Sequence, residues 1–132
     1  MRYVLGLIVV MVGWGAQGSV TWTDYDLDGD LDMFLLNHSL YPNSKYGNGS
    51  KRLTYDVLAG DRLYKNDNGH YIDVSSESGI FQSGIGYGLG ISISDFNNDG
   101  YPDIYIGNDF FENDYLYINK KDGTFKEINS KD

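Results

Sequence analysis

The 132-residue chain has no cysteine. A disulfide framework, a thiolate metal site and a cysteine nucleophile are all excluded. Basic residues are few: Lys and Arg total 10 against 19 Asp and Glu, a formal charge of −9. That balance argues against a nucleic-acid partner, which needs Lys and Arg clustered on one surface. Glutamate is scarce too, with sixteen of the acids Asp and only three Glu. Glu favours helices and Asp favours turns, so the negative charge belongs to loops. The longest apolar run, Val4 to Val12, is shorter than the roughly 20 residues a membrane span requires. No stretch carries sustained helical spacing.

What is present points to strands. Gly 17 and Tyr 12 beside Pro 2 is a β-rich profile, with aromatics to pack a pleated surface and glycines to turn corners. A hydrophobic fraction of 41% is enough for a core. The length fits one small domain or a piece of a larger one.

The chain repeats itself. Residues 20–37 (VTWTDYDLDGDLDMFLLN) align without a gap to residues 91–108 (ISISDFNNDGYPDIYIGN), Asp24 falling on Asp95. A second pair follows, RLYKNDNGHYIDV (62–74) against YLYINKKDGTFKEI (115–128), each a Leu-Tyr-x-Asn run, a Gly turn and an aromatic. Each copy predicts four short strands: 19–23, 32–36, 62–66 and 70–74, then 90–94, 103–106, 115–119 and 124–128. Four consecutive antiparallel strands make a β-propeller blade. Residues 38–60 are extra in the first copy and read as an excursion loop rich in Asn, Ser, Gly and Tyr.

The aligned loops are D-x-D-x-D-G-D-x-D and D-x-N-x-D-G-x-x-D. Oxygen donors fall at alternate positions: Asp24, Asp26 and Asp28 in one loop, Asp95, Asn97 and Asp99 in the other. Glycine follows at position six, Asp30 or Tyr101 offers a backbone carbonyl at seven, and Asp32 or Asp103 closes the loop at nine. Hard oxygen donors on a tight turn select Ca²⁺ over Mg²⁺, so two Ca²⁺ sites are expected, one per copy. Neither is an EF-hand, since position twelve holds Leu35 or Ile106 and the flanks are strands. The first loop is the more anionic and is expected to bind more tightly. Two divalent ions would offset nearly half of the net charge.

These motifs resemble FG-GAP or VCBS-type repeats, the calcium-binding blades of integrin alpha-subunit propellers and of many bacterial secreted proteins. Residues 86–109 (GYGLGISISDFNNDGYPDIYIGND) carry the pattern fully, and residues 13–37 nearly so. The nearest subgroup is the proteins that join such repeats to an ASPIC/UnbV C-terminal domain. The resemblance implies an all-β propeller, Ca²⁺ at both loops and a secreted or cell-surface setting. Such propellers close with about seven blades, so a chain of two reads as a fragment, or as a protomer that self-associates. The expected divisions are an apolar segment at 1–12, a first blade at 13–80 with its insertion at 38–60, and a second blade at 81–132.

The N-terminus has two readings. Arg2, the apolar run and the small residues Ala16 and Gly18 fit a secretory signal peptide, while Trp14 and Gly15 fit the first strand of the repeat. His38 and His70 have no G-x-S-x-G serine to serve, so no hydrolase triad is expected. GIGYGLG (84–90) precedes a strand and opens no helix, which defeats a phosphate-cradle reading. Tyr41, Tyr46 and Tyr55 in the insertion read as loop packing or as a ligand-facing surface. Asn37-His-Ser39 and Asn48-Gly-Ser50 have glycosylation spacing. The expected function is a non-enzymatic binding module, recognising a protein or glycan and joined to further blades. The alternative is part of a polysaccharide lyase whose catalytic residues lie elsewhere.

Overall fold

The computed structural model describes residues 18–39, 51–109 and 112–130. The apolar N-terminal segment, Tyr41, Tyr46 and the Asn48 acceptor site lie outside them. Eight strands run in order: β1 (Ser19–Thr23), β2 (Asp32–Leu36), β3 (Arg62–Asp67), β4 (His70–Asp73), β5 (Gly88–Ser94), β6 (Asp103–Asn108), β7 (Tyr115–Asn119) and β8 (Phe125–Glu127). They form two four-stranded antiparallel sheets, β1-β2-β3-β4 and β5-β6-β7-β8. Each is a simple meander, the blade unit of a propeller.

The strand limits differ slightly from the sequence expectation. β5 begins two residues early, with its register shifting between Gly88 and Gly90. One element was not expected: a single helical turn, α1 (Ser75–Ser78), ended by Gly79 in the left-handed region at φ 82°. Four residues are too few to show a helical period.

Residues paired across an antiparallel sheet share a face. In the first blade, Val20 opposes Leu35, and Trp22, Met33 and Tyr64 run across the same face. Thr21, Phe34 and Leu63 occupy the other. In the second blade Ile93, Ile104 and Tyr117 form one row, and Ser92, Tyr105 and Leu116 the opposite one. The main core joins Phe34, Leu36 and Leu63 of the first blade to Ile104, Ile106, Tyr115, Tyr117 and Phe125 of the second. By the internal repeat, Ile104, Ile106 and Tyr117 correspond to Met33, Leu35 and Tyr64. The second blade thus presents to the first the face that the first turns away. The blades stack head to tail. Gly88 lets them approach, because a methyl there would fall 2.3 Å from Leu36 Cδ1.

The described end of the insertion, residues 51–60, is less of an excursion than its composition predicts. Arg52 and Ala59 are buried. The Arg52 guanidinium grips Glu112, Nη2 to Oε1 at 2.7 Å and Nε to both carboxylate oxygens at 3.2 and 3.3 Å. Asp56 donates its N–H to Gln82 O at 2.7 Å. Buried charge and hydrogen bonding, which composition does not register, tie down residues 51–60. Asn37 is likewise no open glycosylation acceptor: it is buried, and its amide donates to Gly60 O at 2.7 Å.

Candidate metal centres

Both acidic loops bridge the first two strands of their blades. The first runs from Asp24 to Asp32 between β1 and β2, and the second from Asp95 to Asp103 between β5 and β6. Gly29 and Gly100 at position six have φ of 96° and 89°. That region suits glycine and few other residues. Position four is also left-handed, with Leu27 at φ 60° and Asn98 at φ 57°.

The opening aspartate caps its loop in both copies. Asp24 accepts from the N–H groups of Asp28 and Gly29, each at 3.1 Å. Asp95 accepts from Asp99 at 2.9 Å and Gly100 at 2.7 Å. Carboxylate oxygens of Asp24, Asp26 and Asp28 then lie within 4.8 Å of one another. Three hard anionic donors on one turn suit Ca²⁺. The Asp30 N–H, donating to Asp28, holds the Asp28 carboxyl below its ordinary range. The Tyr101 N–H does the same for Asp99. In the second loop Asn97 stands where Asp26 stands in the first, its amide donating to Asp99 Oδ2 at 3.2 Å.

Asp30 and Asp32 are not drawn into the cluster. Asp30 turns its carboxylate to the Asn68 N–H at 3.3 Å. Asp32 and Asp103 are fully buried. Asp32 accepts from Tyr25 N–H at 3.1 Å and Asn66 N–H at 2.8 Å. Asp103 accepts from Phe96 N–H and Asn119 N–H, both at 2.8 Å. The closing residue of each loop therefore staples the loop's start to the third strand of its own blade. Burial pushes the Asp32 carboxyl up to about 6, against the pull of its two backbone donors.

Three contributors escaped the sequence reading. Asn66 and Asn119, the Asn of each Leu-Tyr-x-Asn run, donate to Leu31 O at 3.1 Å and Pro102 O at 3.0 Å. Their recurrence was the available signal. Lys65 was the third: its ammonium contacts Asp26 and lies 3.4 Å from Asp28 Oδ2. Those carboxylates hold Lys65 above the ordinary lysine range.

With this geometry in place, the chain matches the family model described as FG-GAP-like repeat twice, over residues 24–106 and 95–132. The chain belongs to the FG-GAP-like repeat family. Comparison with curated proteins and with solved structures gives no match.

Proposed function

We propose that this chain is a calcium-stabilised propeller segment that works outside the cytoplasm and recognises a protein or glycan without chemical turnover. The observation carrying the metal assignment is the convergence of Asp24, Asp26 and Asp28 in a loop that recurs one repeat later. Among the described residues, no helix is long and apolar enough to cross a membrane. A groove of about 480 Å³ lies between the insertion and α1, lined by Tyr55, Asp73, Ser76, Glu77 and Gln82. The Tyr55 ring is 66% exposed and is backed at 4.9 Å by the buried Arg62 guanidinium. A held aromatic among planar polar groups suits a sugar or a peptide. Calorimetric titration should show two Ca²⁺ sites, lost one at a time in Asp28→Ala and Asp99→Ala. Absence of binding at millimolar Ca²⁺ would sink the metal assignment. Calcium-dependent cleavage of an acidic polysaccharide would replace recognition with the lyase reading.

The same proposal includes a further blade, in cis or from another copy. Tyr25 packs against Phe125 with ring centroids 5.7 Å apart and is buried at the blade interface. The repeat puts Phe96 in the corresponding place, where it is 49% exposed. A third Leu-Tyr-x-Asn hairpin would cover it as β7 and β8 cover Tyr25. Sedimentation should show association of this chain that Phe96→Asp weakens; a monomer at every concentration would count against self-association.

A further inference from the structure

Loop one already contains a cation, supplied by its own blade. Lys65 leaves β3 and sets its ammonium against Asp26 and Asp28, two of the three acids whose oxygens converge. The contact is partly shielded, the Lys65 side chain being 35% exposed and that of Asp26 12%. Among the described residues, loop two has no strand lysine in that place. The offset that carries Tyr64 to Tyr117 carries Lys65 to Ile118. The ammonium near loop two comes instead from Lys121 in the β7–β8 turn, which lies 3.5 Å from Asp99 Oδ2 with its side chain 48% exposed.

We propose that Lys65 is a tethered counter-cation of loop one, which closes the empty loop and which Ca²⁺ must displace on binding. The inference rests on the calcium reading above. An ammonium and a divalent ion cannot occupy the same carboxylate oxygens without strong repulsion. A tethered competitor also acts at a high effective concentration, on the order of millimolar for a short flexible link. Counting acids overstates the pull of loop one on a metal. The carboxylates of Asp30 and Asp32 lie outside the converging trio, and Lys65 offsets one of the three charges within it. Binding at loop one is thus an exchange of one cation for another, and loop one stays closed without metal. Binding at loop two involves no exchange with a strand lysine.

Terbium luminescence titration of the full chain in an Asp99→Ala background isolates loop one. Lys65→Met in that background should tighten metal binding roughly tenfold, the scale of removing one partly screened repulsion. Unchanged or weaker binding overturns the proposal while leaving the calcium reading intact. No binding in either protein overturns both. A second measurement needs no variant. Mass spectrometry after brief acetylation should find Lys65 protected relative to Lys126 without calcium, and exposed at saturating calcium. Protection of Lys65 that ignores calcium overturns the proposal.

Discussion

The side-chain amide of Asn119 donates to the backbone carbonyl of Tyr25 at 2.8 Å, joining residues 94 positions apart. The same nitrogen donates to Pro102 O at 3.0 Å, within the second acidic loop. One amide therefore ties the start of loop one, in the first blade, to the end of loop two, in the second. Its counterpart Asn66 donates to Leu31 O and to the Tyr71 hydroxyl, both within its own blade.

Asn119→Ala should accordingly destabilise the chain by about 1–3 kcal/mol, because it strands buried backbone carbonyls. Asn66→Ala, at a half-exposed site within one blade, should cost less. Urea denaturation of both variants checks the order; equal losses would mean that the inter-blade bond adds nothing.

Arg52 and Glu112 form a buried pair, their side chains 8% and 1% exposed. Arg52→Met leaves the Glu112 carboxylate buried without its cation, which typically costs about 3–5 kcal/mol. Arg52→Met with Glu112→Leu removes both charges and should recover much of that loss. Thermal melts of the two single variants and the double variant form the cycle. A double variant no better than Arg52→Met would show that packing dominates over charge.

Leu27 holds φ at 60° on an exposed loop, a conformation that suits Asn far better than Leu. The second copy has Asn98 at this place. Leu27→Asn should raise stability by about 1 kcal/mol and leave calcium affinity at loop one within twofold of its starting value. Chemical denaturation and calcium titration read the two effects separately, and a loss of stability would show that the Leu27 side chain packs usefully.

Asp61 is buried, accepts the Asn37 N–H at 2.8 Å, and has its carboxyl pushed up by burial from 3.8 to about 7. Between about pH 4 and pH 7 the folded chain keeps a proton that the unfolded chain has released. Stability from this group therefore falls as pH rises through that window, and the full penalty applies above pH 7. Asp61→Asn keeps the acceptor oxygen and removes the charge. It should match the parent near pH 4 and exceed it by about 1 kcal/mol or more at pH 8. Urea midpoints in chelator at both pH values test this; parallel pH profiles would show that folding leaves the Asp61 carboxyl unshifted.

Much of the fold was legible because the repeat fixes it twice. Alignment of Asp24 with Asp95, and of Leu-Tyr-x-Asn with its second copy, placed all eight strands to within two residues at each end. The convergence of Asp24, Asp26 and Asp28 was legible from alternation on a turn. The tie from position nine to the third strand was not: that Asp32 accepts the Asn66 N–H depends on where β3 passes, and the sequence does not show that path. Lys65 was hidden for a similar reason. On a strand it reads as a solvated charge, and only the fold brings it to Asp26, 39 positions away. The Arg52–Glu112 pair joins an insertion to a distant loop, and no local pattern marks such a contact.

Head-to-tail stacking has a consequence for how such a chain can grow. A joint between like faces would need a surface that complements itself, and duplication would leave its outer units mismatched. Here each repeat carries both halves of the joint, one on each side of its sheet. Copying a repeat in tandem therefore copies a working seam with it, and a lengthened array needs no newly invented interface.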